Sequence, residues 1–282
     1  MANRFYCHDS LLAERTIWRT VAPDGFEMVI GNPPWEKVKT TRHEFLRANG
    51  ETRHYGAAYT EFDSDHYTEA QRASEKYAHA LANRFSHAHG EIDLYIAFLE
   101  LSMELVRFGG RISILLPAGL IRSQRSSSLR RFVLKESSKV AISILDNRAR
   151  FFAIDSRFKF LTLSCIKKSS AKEPTMATLL IKHAKGTEKG VVETASAKIE
   201  QQSLEEIRPD FSIPEIRGEY EWNLFLKMSR NGETCNRPGS QWLLQIVREV
   251  DMTRDRKNFR SDRSEGCIPV VEGRMVQQHR FG

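Results

Sequence analysis

Phe26-Glu27-Met28-Val29-Ile30-Gly31-Asn32-Pro33-Pro34-Trp35-Glu36-Lys37 decides the fold. Its first five residues are mostly apolar, and the run stops at a glycine and two prolines. That pattern predicts a buried strand that ends abruptly, with its last residues at a sheet edge. In open α/β sheets, ligands sit in the crevice beyond the carboxyl ends of the strands. Position alone therefore makes Asn32, Pro33, Pro34 and Trp35 candidate site residues.

Outward from this stretch, helix and strand patterns alternate. Residues 91–108 put Ile92, Tyr95, Ile96, Leu99, Met103 and Val106 on one helical stripe, with Gly109-Gly110 as the stop. Residues 111–116 read as a strand closed by Pro117, and Ser126-Ser127-Ser128 offers a cap for a helix beginning at residues 129–134. Residues 140–145, 158–166 and 178–182 read as further strands. Alternation with connections of this length predicts an α/β fold of parallel strands with helices on both faces. A charged, Ser-rich break at residues 167–173 marks a domain boundary, giving a first domain over 1–170 and an extension over 171–282. In the extension, residues 222–228 and 242–250 are short amphipathic pieces.

Before the key stretch, Leu11, Leu12, Arg15, Ile17 and Trp18 suggest a short helix, ended by the turn signal Pro23-Asp24-Gly25. After it, residues 36–90 form a polar insertion carrying six of the nine histidines. Ala70, Ala73, Tyr77, Leu81 and Phe85 fall at helical spacing within it, which predicts an amphipathic helix over residues 67–85. His87 and His89 with Asp63 or Asp65 match no metal-ligand spacing, so a solvated insertion is the better reading and no metal is expected.

The bulk numbers narrow the function classes. At 282 residues the chain is long enough for one large or two modest domains, and 40% hydrophobic with 28% charged residues is ordinary globular composition. A net charge of +7 favours a polyanionic partner, weakly, since the excess is spread along the chain. Cys7, Cys165, Cys235 and Cys267 are far apart and form no Cys-x-x-Cys, which fits reduced thiols in a cytoplasmic protein. Neither a signal-peptide stretch nor a run of about 18 apolar residues is present, so no membrane span is expected.

The four central residues suit one chemistry. An exocyclic amine on an aromatic base is a poor nucleophile because its lone pair is delocalised into the ring. Two acceptors aimed at its two N–H bonds would localise that pair. The Asn32 side-chain carbonyl is one such acceptor and the Pro33 backbone carbonyl the other. Consecutive prolines fix φ and lack N–H donors, which leaves a rigid outward-facing pair. Trp35 adds a flat face on which a base turned out of a duplex can stack. No general base is needed.

Asn-Pro-Pro-Trp after a strand resembles the catalytic motif of the N6-adenine-specific DNA methyltransferases of restriction-modification and phage-defence type, the large fused restriction-methylase family. Gly90-Glu91-Ile92-Asp93-Leu94-Tyr95, Gly109-Gly110-Arg111-Ile112-Ser113-Ile114-Leu115-Leu116-Pro117 and the stretch Phe151 to Phe160 follow in that family's order, so the resemblance covers roughly residues 25–168. Weaker echoes occur at residues 249–255 and at Glu272-Gly273-Arg274-Met275. The resemblance implies the second half of a Rossmann-like class I methyltransferase sheet, with the strand at 158–166 antiparallel to its predecessor. It implies an insertion beside the target base, and Phe152, rather than Phe151, clamping the base face opposite Trp35. It also implies S-adenosyl-L-methionine as cofactor and double-stranded DNA as partner. The glycine-rich loop that holds this cofactor in the family is missing: no Gly-x-Gly occurs anywhere, and Gly109-Gly110 lies before a strand. Cofactor-binding residues are therefore unknown. The chain reads as the C-terminal half of a catalytic domain, needing an N-terminal half or a partner subunit, with a target-recognition domain expected beyond residue 282. The basic run at residues 254–263 fits a solvated loop or a phosphate contact equally well.

Two other readings remain open. Similar motifs serve methylation of a protein glutamine amide or an RNA guanine amine. Without a cofactor loop, the chain would alternatively be an inactive remnant, or a DNA-facing subunit whose partner binds the cofactor.

Overall fold

The computed structural model describes residues 7–41, 45–46, 64–170, 172, 178–187, 190–232 and short pieces between 241 and 281. The chain divides into two compact units, residues 1–232 and 233–282. The first holds a six-stranded mixed sheet of spatial order β1-β2-β4-β3-β5-β6, formed by β1 (Phe26–Gly31), β2 (Val106–Pro117), β3 (Ser137–Asp146), β4 (Lys159–Lys167), β5 (Thr178–Thr187) and β6 (Gly190–Glu200). β1 runs parallel to β2 and β3 parallel to β5, while β4 lies between β2 and β3 and is antiparallel to both. The expected α/β sheet with its antiparallel fourth strand is thus present. β5 and β6 extend that sheet, so the extension expected from residue 171 begins inside the first compact unit.

Strict alternation builds the core. Ile112, Ile114 and Leu116 of β2 lie in register with Cys165, Leu163 and Leu161 of β4, which in turn face Val140, Ile142 and Ile144 of β3. These residues are buried with the apolar faces of α3 (Leu94–Leu105) and α5 (Ser127–Glu136), notably Leu99, Met103, Leu129 and Val133. α1 (Arg15–Val21) precedes β1, α2 (Ser64–Arg84) fills the expected insertion helix, and α4 is one turn, Gly119–Arg122. Beyond the sheet, α6 (Gln201–Ile207) and α7 (Glu219–Asn231) add Leu204 and Trp222 to the same core. Among the described residues the helices therefore bury one face of the sheet. The opposite face carries Ser113 hydrogen bonded to Ser164, with Thr162, Ser143 and Lys182 partly exposed. Among the described residues the expectation of helices on both faces is not met, and the polar alternation of β2 to β5 fits that.

Two local readings change. Helix α3 ends at Leu105, and Gly109-Gly110 instead forms an irregularity inside β2, where the register with β1 shifts between Phe26 and Met28. A Cβ on Gly110 would lie 2.7 Å from Val106 Cγ2 and 2.9 Å from the Arg107 carbonyl oxygen, and Gly109 has φ 73°. Glycine is needed there for close approach. Ser126 does not cap α5 with its side chain; it is buried, its Oγ 3.1 Å from the Tyr95 hydroxyl.

In the second unit, residues 241–245 carry no regular structure, and Trp242 and Leu243 are exposed. A single 3-10 turn spans Arg256–Asn258, and a two-stranded ribbon pairs β7 (Val276–Gln277) with β8 (Arg280–Phe281). Residues 271–275, with the expected link motif, fall outside the described residues.

Candidate functional site

β1 is an edge strand, and its carboxyl end delivers the Asn-Pro-Pro-Trp turn beside the carboxyl end of β2. Asn32 and Pro34 are exposed there, while Pro33 and Trp35 are half-buried. The segment after the turn is pinned to the start of α3: Lys37 bridges Asp93, Val38 N–H donates to the Ile92 carbonyl and Leu94 N–H to the Glu36 carbonyl. Trp35 Nε1 reaches the Leu115 carbonyl at 3.4 Å. The indole therefore has a fixed seat at the end of two strands.

Around it gathers an aromatic cluster supplied by the loop between β3 and β4. Phe158 lies nearly parallel to Trp35, at 13° with ring centroids 6.1 Å apart, while Phe152 approaches to 5.1 Å at 60°. Phe152 also meets Phe160 edge-on at 5.1 Å. Sequence reasoning chose Phe152 as the partner facing Trp35 across a base. In the structure Phe152 packs obliquely against Trp35 and edge-on against Phe160; Phe160, which is buried, lies at 29° to the indole, and the ring most nearly parallel to it is Phe158, which is 42% exposed.

One buried amide organises this loop. Asn147 Nδ2 donates to the carbonyls of Phe152 and Ile154, each at 3.0 Å, and Asn147 Oδ1 accepts from Phe152 N–H at 3.1 Å. Its backbone N–H donates to the Phe158 carbonyl at 3.0 Å. From sequence alone Asn147, which follows the strand expected at residues 140–145, has no assigned role. Further along the loop, Arg157 pairs with Asp155, whose carboxyl is held at about 2 by that guanidinium.

Trp35 and Phe158 line a cavity of about 640 Å³ that also touches Lys37, Asp93, Arg122, Arg125, Arg157 and Lys159. Arg122 and Lys159 both pair with Glu215. Asp93 is the acid on the lining, and burial raises its carboxyl above the usual range against the pull of Lys37 and Arg125. Just outside, Glu91 accepts from Arg125 at 2.9 Å, Lys37 at 3.0 Å and Lys39 at 3.1 Å, and these donors hold its carboxyl at about 2. The cavity combines a stacking face with a cationic rim. That suits an aromatic anion such as a nucleotide.

The cavity's five cationic side chains are paired with Glu91, Asp155 and Glu215 at the rim. Among the described residues no glycine-rich turn joins a strand to a helix. A group of histidine, cysteine or acidic residues able to hold a metal is likewise absent among them, and His43 and His54 lie outside the described set. No described helix is long and apolar enough to cross a membrane.

The Asn-Pro-Pro-Trp turn at the end of β1 thus stands beside an aromatic cavity in a mixed α/β sheet. The sequence profile of the Eco57I restriction-modification methylase matches residues 5–152, over half of the chain, which belongs to that family. No curated protein matches. Among solved structures, the chain is similar to the DNA-bound ATP-dependent Type ISP restriction-modification enzyme LlaBIII (17% identity, TM-score 0.34, 55% of this chain and 10% of that one). It is also similar to a putative class I S-adenosylmethionine-dependent methyltransferase from Listeria monocytogenes (15%, 0.32, 56% and 37%). A third similarity is to a modification subunit of a putative type I restriction enzyme from Vibrio vulnificus YJ016 (15%, 0.36, 79% and 34%). The chain thus spans 10% to 37% of the length of these proteins.

Proposed function

We propose that this chain is the target-base half of a site-specific DNA adenine-N6 methyltransferase acting in the cytoplasm, with S-adenosyl-L-methionine held by polypeptide outside it. The observation that carries the reading is Trp35, half-buried on the wall of a cation-rimmed cavity with the exposed Asn32 three residues before it. An extruded adenine would stack on the indole. The Asn32 amide oxygen and the Pro33 carbonyl would accept from its amino group and localise the lone pair, and Pro34 would keep the turn rigid.

Phe158 is the better second face for the base. Stacked bases lie about 3.4 Å apart, so a base between two rings needs them roughly 7 Å apart. Trp35 and Phe158 have nearly parallel planes, 13° apart, so a base can enter between them by separation of the rings without rotation. Phe152, at 60°, would have to turn. In this reading Phe152 supports Trp35 from the side.

β1 supports the placement of the cofactor elsewhere. Its outer edge carries no strand among the described residues, and Met28 and Ile30 on it are 53% and 73% exposed. An apolar strand with unpaired backbone groups is what a sheet offers to a further strand. This favours a chain completed by a partner segment over an independent enzyme.

The test is tritium transfer from labelled S-adenosyl-L-methionine to DNA, RNA and protein, by the chain alone and together with a polypeptide carrying a Gly-x-Gly loop. Transfer to DNA adenine only in the pair, abolished by Asn32→Ala while DNA binding persists, is the expected result. Wild-type turnover by the Asn32→Ala pair, or label appearing on glutamine or guanine, would overturn the assignment. Micromolar cofactor binding by the chain alone would overturn its division of labour.

A further inference from the structure

The Glu91 cluster has a role that stacking and amine polarisation leave unassigned. We infer that Lys37 and Arg125, held ready by Glu91, form a seat for the phosphodiester next to the extruded nucleotide. This rests on the reading of Trp35 as the base platform.

The geometry favours it in three ways. Lys37 and Arg125 line the same cavity as Trp35, so a nucleotide whose base lies on the indole has its backbone within that cavity's rim. Lys37 follows Trp35 by two residues and its backbone is fixed by a bridge to Asp93, which anchors the stem of the charged side chain beside the stacking face. Two carboxylates face three cations: Glu91 takes a single hydrogen bond from each of Lys37, Lys39 and Arg125, and Asp93 stands on the same lining, leaving a surplus of one positive charge. Each ammonium has three donors and a guanidinium five, so most donors remain for a phosphate.

Glu91 has a defined part in this arrangement. Without nucleic acid it draws three long side chains into one place, which lowers the ordering cost of binding. With a phosphate present it is a like charge beside the ligand. Its removal therefore acts in opposite directions on order and on attraction, and because the three cationic side chains remain about half exposed, the order Glu91 supplies is loose and attraction is the larger effect.

The test uses the whole chain and a labelled single-stranded oligodeoxynucleotide bearing one 2-aminopurine. Anisotropy, measured from about 50 to about 200 mM salt, gives the slope of log affinity against log salt. The seat holds one phosphate, and a single-strand phosphate contact contributes about 0.7 to that slope, so Lys37→Gln with Arg125→Gln should flatten it by about 0.7, and each alone by less. Lys198→Gln, on β6 at the far edge of the sheet, should leave it unchanged. Glu91→Gln should strengthen binding. Quenching of 2-aminopurine reports the base platform separately.

An unchanged slope in the double variant with quenching intact overturns the phosphate seat and leaves the base platform standing. A flattened slope with no quenching in the wild-type chain supports the seat and overturns the platform. Weaker binding by Glu91→Gln overturns the assigned part of Glu91, and a wild-type chain that binds no oligonucleotide overturns seat and platform together.

Discussion

Asn147 is the residue whose replacement most directly tests how the aromatic loop is held. Its amide makes two donations at 3.0 Å and one acceptance at 3.1 Å, all to backbone groups of the loop that presents Phe152 and Phe158. Each such bond contributes about 1 kcal/mol net, so Asn147→Ala should cost about 3 kcal/mol if the loop stays in place. Phe151, Ile154 and Asp155 are exposed, however, and water can take over part of the loop's backbone bonding once it lifts. Lifting limits the loss to about 1 to 3 kcal/mol and transfers the damage to the site, because Phe158 no longer lies against Trp35.

Asn147→Asp adds a sign that Ala does not. The new carboxylate places a second acceptor against the carbonyls of Phe152 and Ile154 in a buried position, so folding raises its pKa above the unfolded value near 3.9. Protonation restores a donor. The variant should match wild type most closely near pH 4 and lose stability as pH rises towards the raised folded pKa. Urea midpoints at two pH values measure the stability, and hydrogen exchange of residues 148–158 measures the lifting. An Asn147→Ala chain within about 0.5 kcal/mol of wild type, with exchange in that segment unchanged, would refute the role given to this amide.

Three further outcomes are expected. The Glu91 carboxyl, at about 2 because of Arg125, Lys37 and Lys39, contributes stability above its ordinary range that is lost as pH falls towards 2; an NMR midpoint above 4 at low salt would contradict it, and molar salt should move the midpoint upward. Burial lifts the Cys165 thiol to about 11, so a thiol reagent at pH 8 should label the exposed Cys7 and Cys267 in the native chain and Cys165 only after unfolding, as peptide mapping would show. The buried Arg130 guanidinium donates to the carbonyls of Phe211, Leu120, Ser123 and Asp210, and Arg130→Met should cost about 3 kcal/mol or more in urea unfolding by stranding them.

What the sequence revealed follows its patterning. β2 and β3 were legible because Ile112-Ser113-Ile114 and Ile142-Ser143-Ile144 alternate cleanly and are closed by Pro117 and Asp146-Asn147, whereas β1, expected as a buried strand, is a strand whose six residues are all half-buried or exposed. β6 was not legible. Its buried residues are Ala197 and Ile199, and the rest, from Val191 to Glu200, is exposed or nearly so, giving no apolar rhythm to detect. Gly109-Gly110 misled for a physical reason: glycine serves a helix stop and a tight strand irregularity equally well, and only the contacts of Gly110 with Val106 and Arg107 decide between them.

The site was legible where chemistry is local and hidden where it is not. Asn32 to Trp35 form one turn, so their roles can be argued from four neighbouring residues. Which phenylalanine faces Trp35 depends on the path of residues 148–158, and that path is set by hydrogen bonds from Asn147 over five and seven residues and by a close approach to β5. A Cβ on Gly186 would lie 2.5 Å from Ala149 and 2.6 Å from the Phe151 ring, so the loop is laid across a glycine some thirty-five residues further on. Nothing local in the sequence separates Phe152 from Phe158 as the ring that faces the indole. The amide turns Phe152 inward by binding both its N–H and its carbonyl, which leaves Phe158, released at the start of β4, to lie parallel to the indole. If that account holds, Phe158→Ala should weaken 2-aminopurine quenching more than Phe152→Leu does, with the fold intact by circular dichroism. The reverse order would return the clamp to Phe152.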